Sequence, residues 1–150
     1  MPSIISSFYD ALALQCVLTW PSAAHISDAL SLETAPDIML NNGFAIAIGP
    51  GIGGTDQSCQ EMFVRDVLIF RVMRVAATEN DQAKMASSVK SLMEAIFDLR
   101  KNIRINNTLG GVVSDIGFIS DGGIELLPTA SGKFHVLSSV YSVKYLENLY

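Results

Sequence analysis

Leu40-Asn-Asn-Gly-Phe-Ala-Ile-Ala-Ile-Gly-Pro-Gly51 is followed, after a polar gap, by Arg65-Asp-Val-Leu-Ile-Phe-Arg-Val-Met-Arg-Val75. The first stretch reads as a turn at Asn42-Gly43 and a short buried strand over residues 44–48. Alanines alternate there with Phe and Ile, so small and large side chains face opposite sides. Residues 49–58 read as a flexible, polar, glycine-rich loop. The segment after that loop decides its meaning. A second strand starts as early as Glu61 and runs to Val75, so the pair forms a hairpin. Its two faces, Val67/Ile69/Met73/Val75 and Val64/Leu68/Phe70/Val72, are both apolar, which puts it at the centre of a sheet or under cover on both sides.

Around the hairpin the chain alternates helices and strands. Residues 3–18 form a helix with Ser3 as N-cap and Ile5, Phe8, Leu12 and Cys16 on one face. Trp20-Pro21 stops it, because the residue before proline is pushed out of helical geometry. Residues 22–42 read as a connector with one short piece around residues 29–32 and a turn at Ala35-Pro36-Asp37. Thr78-Glu-Asn-Asp81 caps a second helix over residues 81–101, striped by Met85, Val89, Leu92, Met93, Ile96 and Leu99. Turns are expected at Asn106-Asn107 with Gly110-Gly111, at Asp121-Gly122-Gly123 and at Ser131-Gly132. They separate a strand over residues 112–120, an extension over 124–127 and a closing strand over 134–145. The order predicts a single α+β domain over residues 1–150. Its sheet is mostly antiparallel, of about four to five strands, with two main helices packed on it.

The hydrophobic fraction is 49%, mean hydropathy is +0.35 and the charged fraction is 17%, against about a quarter charged in ordinary domains. Such a chain has apolar surface to cover, most economically with other copies of itself. A domain with a large core accounts for the same figures. A net charge of −5 and scattered Lys and Arg exclude a basic nucleic-acid-binding surface. Cys16 and Cys59 lack metal-ligand or redox spacing and read as free, buried thiols of an intracellular chain. No apolar run reaches the length of a membrane span, and the N-terminus lacks a signal-peptide pattern.

No catalytic cluster stands out. Gly49-Pro-Gly-Ile-Gly-Gly54 satisfies G-x-G-x-x-G, but a phosphate cradle must open into a helix, and a strand comes next here. Pro50 also removes an amide donor. His25 and His135 have no partner at ligand spacing, and His135 reads as a satisfied sheet residue. Asp115 and Asp121 beside glycines read as turn chemistry. Arg65, Arg71 and Arg74 punctuate the apolar strand, either as subunit contacts or as solvated ends of an edge strand. No enzyme activity, cofactor or metal is called for.

The whole order resembles the tail terminator (tail completion) proteins of long-tailed bacteriophages. The likeness lies in the N-terminal helix ending at Trp-Pro and in Leu40-Asn-Asn-Gly-Phe-Ala-Ile-Ala-Ile-Gly as turn and strand. It continues in the polar hairpin tip, the long strand through Phe70, the acid-capped helix and the last strand, Phe134-His-Val-Leu-Ser-Ser-Val-Tyr-Ser-Val-Lys-Tyr145. The resemblance implies a virion protein of the tail or neck, made in the host cytoplasm, that forms a six-membered ring. It would cap the tail tube, stop its polymerisation and meet the head connector, with DNA passing through unbound. The candidate interface residues are Gly49, Gly51, Gly53 and Gly54 at the hairpin, Arg71 and Arg74 on the strand, and Asn106 and Asn107 in the second adaptable loop. Other neck or tail components, a small nucleotide-binding protein using the Gly49–Gly54 loop and a dimeric adaptor stay open as alternatives.

Overall fold

In a computed structural model that describes residues 3–57, 60–74, 82–129 and 132–148, the Ser3 hydroxyl accepts the Ser6 amide at 3.1 Å. That bond satisfies one of the orphan donors at the start of α1 (Ile4–Thr19). The helix stops at Trp20, as the Trp-Pro pair requires, with Phe8, Leu12 and Cys16 fully buried. The connector holds more than one short piece: β1 (Ala24–Ile26), a single 3-10 turn (Leu32–Thr34) and the one-turn helix α2 (Asp37–Leu40).

The hairpin is present, but its loop is not where the glycines suggest. β2 (Asn42–Gln57) pairs with β3 (Gln60–Arg74) almost throughout, so residues 49–57 are strand rather than loop. Two bulges, between Ile48 and Gly51 and between Gly53 and Asp56, absorb the irregular sequence. Asn42-Gly43 is not a turn either: both residues lie in β2, opposite Met73 and Val72. Gly43 is needed there for a close approach. A Cβ would run into the Met39 carbonyl and reach within 2.9 Å of Ile26 Cδ1, so only glycine lets α2 and β1 close on the sheet. Val75, the capping stretch 78–81 and Cys59 lie outside the described residues.

α3 (Gln82–Ile105) is longer than its stripe suggested. Its buried row is Ser88, Leu92, Ile96, Leu99 and Ile103. Met93, expected on that stripe, is exposed, because it comes one residue after Leu92 and so points about 100° away. The Met85 side chain lies outside the described set. β4 (Asp115–Thr129) is one strand, and the expected turn at Asp121-Gly122-Gly123 is a bulge in it, with Gly123 at φ 73. β5 (Gly132–Asn148) closes the sheet.

The fold is α+β, with strand order β1-β2-β3-β5-β4. β1 runs parallel to β2 and the other pairs are antiparallel. β3 is the central strand, as its two apolar faces require. α1 and α3 cover one face, packing Leu12, Leu92, Leu99 and Ile103 on Phe44, Ile69 and Tyr141. Polar side chains lock the two helices together. Trp20 Nε1 donates to Ala95 O at 3.1 Å, and Asn102 Nδ2 donates to Thr19 Oγ1 at 2.9 Å. The back face carries a smaller cluster, in which Leu32 and Leu40 cover Ala45, Val72 and Phe134. Residues 27–41 thus form a strap across one half of that face.

Candidate interaction surface

The expected interface residues fall into three environments. Gly49, Gly51, Gly53 and Gly54 lie on β2, the first three at or beside its bulges. Arg65 fills the space they leave. Its Nη1 donates to Gly49 O at 3.0 Å and its Nε to Tyr145 Oη at 3.1 Å, while a Cβ on Gly51 would sit 2.7 Å from the guanidinium carbon. The small residues admit an arginine strut across the strand rather than a phosphate, and β3, not a helix, comes after the segment.

Arg71 is not offered to a neighbour. It is 5% exposed, alternates with Ile69 and Met73 on the helix-covered face, and lies beneath Trp20 with its guanidinium 5.0 Å from the ring centre. Its Nη1 donates to Gly43 O and Val72 O. A cation that satisfies backbone carbonyls inside the chain is a structural pin. Burial lowers its pKa to about 10, which still leaves it charged at neutral pH. Beside it, burial pushes the Cys16 thiol up to about 12, so this cysteine stays protonated and unreactive. Arg74 points to the other face and is exposed, over the Phe134 ring, with Nε donating to Asn41 Oδ1 at 2.7 Å and Nη2 3.8 Å from Asp37.

Asn106 and Asn107 belong to a tied turn rather than a free loop. Asn106 Nδ2 donates to Gln15 Oε1 on α1, and its Oδ1 accepts the Gly110 amide. Asn107 Nδ2 donates to Asp115 Oδ1, and its carbonyl accepts the Ile116 amide. Leu109, Gly110 and Gly111 all have positive φ, which lets the chain reverse and bury Leu109. Asp115 is thus held by Asn107, while Asp121 adjoins a bulge further along β4, and the two form no pair.

The histidines are also spoken for. His25 Nε2 lies 3.1 Å from Tyr9 Oη, and its ring stacks on Phe44 at 4.8 Å. His135 Nδ1 meets Ser88 Oγ at 2.9 Å in a buried contact, and burial lowers its pKa. Among the described residues no three His, Cys, Asp or Glu side chains converge on a metal site.

Two surfaces remain. The first is the half of the back face beyond the smaller cluster, where the sheet is half-exposed. Ala47, Leu68 and Val140 stand side by side on three adjacent strands, with Ile52 and Val64 as the next apolar pair. None of the five belongs to either buried cluster, and Ile52 is 75% exposed. The second is an open groove of about 330 Å³ on the helix side, between the end of α3 and β4. Its apolar wall includes Ile103, Ile116, Phe118 and Tyr141, and its charged lining is Arg100, Lys101 and Arg104 with one carboxylate, Asp115, which Asn107 holds. No known family profile matches the sequence, and no curated protein is similar enough to count as a match. No helix among the described residues is long and apolar enough to cross a membrane.

The groove was not foreseen from sequence, because Phe118 and Arg100 are far apart in the chain and read separately as strand and helix surface. The fold brings them together, the guanidinium lying 3.7 Å from the Phe118 ring centre. A cation row at positions 100, 101 and 104 was the available signal. Chemically, both surfaces suit docking: one is flat and apolar, the other apolar with a cationic edge.

Proposed function

We propose that this chain is a structural virion protein of the tail terminator kind. Copies assemble into a ring, in the manner of a six-membered cap, on the end of a tail tube. The ring ends tube polymerisation and presents a surface to the head connector. The observation that carries this reading is the apolar row Ala47, Leu68 and Val140 on the back face of the sheet, half-exposed and outside both buried clusters. A lone chain leaves part of that row in water, and assembly would remove the remainder at roughly 25 cal/mol per Å² of apolar surface. The resemblance in element order supplies the kind of assembly, and the acidic balance suits a channel that DNA traverses without being held. In this reading no cofactor takes part, and the function is performed by shape.

The test is light scattering coupled to size exclusion over a concentration range, with negative-stain images of the same fractions, and then incubation with growing tail tubes. Closed rings, or a protein that halts tube growth at substoichiometric amounts, support the proposal. A stable two-fold dimer with no effect on tubes overturns it in favour of an adaptor.

A further inference from the structure

The groove at the end of α3 has a chemistry that the rest of the chain does not match until charge is read along the sequence. No Lys or Arg precedes Arg65, so the charged side chains of the first 64 residues are all acidic, and every Lys and Arg comes later. Arg100, Lys101 and Arg104 collect on the helix side of the sheet, whereas Asp28 and Glu33 stand exposed on the strap of the back face. Among the described residues, no carboxylate lies within ion-pair distance of Arg100 or Arg104, while Lys101 already pairs with Asp98 at 3.7 Å.

An occupant must bring an apolar group for the groove wall and two carboxylates for these two arginines. The strap carries that combination. Leu30 is 89% exposed at the tip of a turn, held by its amide donating to Asp28 Oδ1 at 3.1 Å and anchored by buried Leu32. Asp28 and Glu33 flank it. The competing knob, Ile38, neighbours Asp37, which is already engaged by Arg74. On α1, exposed Leu14 has only Asp10 within one turn.

Deepening the self-assembly reading, on which it rests, we propose that the α3–β4 groove of one copy receives Leu30 of a second copy, with that copy's Asp28 and Glu33 closing on Arg100 and Arg104. Knob and groove lie on opposite faces of the sheet, so a chain does not fill its own groove. The contact is also not self-complementary: copies join head to tail, which generates rings or filaments rather than a two-fold dimer. Arg100, stacked on Phe118, keeps its in-plane donors for a carboxylate at little further entropic cost. A contact of this kind weakens with salt.

The experiment uses two full-length variants, Arg100→Glu/Arg104→Glu and Asp28→Lys/Glu33→Lys, measured alone and mixed by light scattering with size exclusion. All four positions are exposed, and melting curves verify that both variants are folded. Each variant alone should lose the assembled species. An equimolar mixture should regain it, because reversed groove meets reversed strap and native groove meets native strap in alternation. Wild-type assembly with unaffected variants, or two folded variants that fail to recover on mixing, overturns the contact while leaving self-assembly standing. A wild-type chain that stays monomeric up to its solubility limit and leaves tube growth unchanged overturns both.

Discussion

Arg71 lies face-on to Trp20, its guanidinium carbon 5.0 Å from the ring centre, with Nη1 shared between the carbonyls of Gly43 and Val72. The cation thereby joins the end of α1, through Trp20, to the β2–β3 pair. Among the described residues its Nε has no partner, and no carboxylate neutralises it. Much of what the guanidinium gains in contacts is therefore offset by its own desolvation.

Replacing Arg71 by Met keeps an unbranched chain under Trp20 and removes the buried charge. The expected cost is small, within about 1.5 kcal/mol. Arg71→Glu instead puts an anion against two carbonyls and should cost about 3–5 kcal/mol, a large fraction of a domain's whole stability. Urea denaturation of both variants checks this. Equal midpoints for Met and Glu would show that Arg71 is not enclosed as described.

The glycines of β2 are expected to differ sharply. Gly43→Ala pushes a methyl into the Met39 carbonyl and Ile26, both held by the fold, and should cost about 1–3 kcal/mol. Gly51→Ala meets only the far end of the flexible Arg65 side chain, which shifts at the expense of its bonds to Gly49 and Tyr145, and should cost less, within about 1 kcal/mol. Thermal melts of the two variants side by side measure the contrast. A Gly51→Ala variant as damaged as Gly43→Ala would mean that the Arg65 strut cannot yield.

These contrasts explain how much of the fold was legible in the sequence. Strong local signals set the ends of α1, since a capping Ser and a Trp-Pro stop act within the segment itself. The centrality of β3 came from two apolar faces, a pattern that survives any tertiary arrangement. The run from Gly49 to Gln57 misled because glycine content speaks for loop, whereas pairing with β3 and the Arg65 strut are tertiary and override it. Asp121-Gly122-Gly123 carried a true turn composition, but Gly123 spends its positive φ on a bulge. Arg71 reads as a subunit contact or a solvated strand end because it is charged. Its alternation with Ile69 and Met73 already pointed inward. The groove at Arg100 and Phe118 depends on contacts between distant segments, which no local pattern encodes.

Asn106 is expected to act on stability rather than on assembly. It bridges the end of α3 to Gln15 on α1 and caps the turn through Gly110. Asn106→Ala leaves the nearly buried Gln15 amide short of a donor and frees the Gly110 amide, for a cost of about 1–2 kcal/mol. Chemical denaturation gives the number, and light scattering should show the assembly state unchanged at temperatures where the variant is folded. An assembly defect without any loss of stability would return Asn106 to an interface.

His135 should make stability fall on mild acidification. Burial against α3 lowers its pKa in the folded chain below the ordinary 6.5. Between that lowered value and 6.5 the unfolded chain binds the extra proton and the folded chain does not. Stability is therefore fully present above about pH 6.5 and declines as pH drops toward the folded value. Carboxylates titrate mainly below this window, so the comparison belongs between about pH 7.5 and 5.5. His135→Gln keeps a polar group for Ser88 Oγ and removes the titration. The wild type should lose more melting temperature than the variant over that interval, because only it carries the buried imidazole. Parallel pH profiles would place the acid sensitivity elsewhere and leave the His135–Ser88 contact without a role in it.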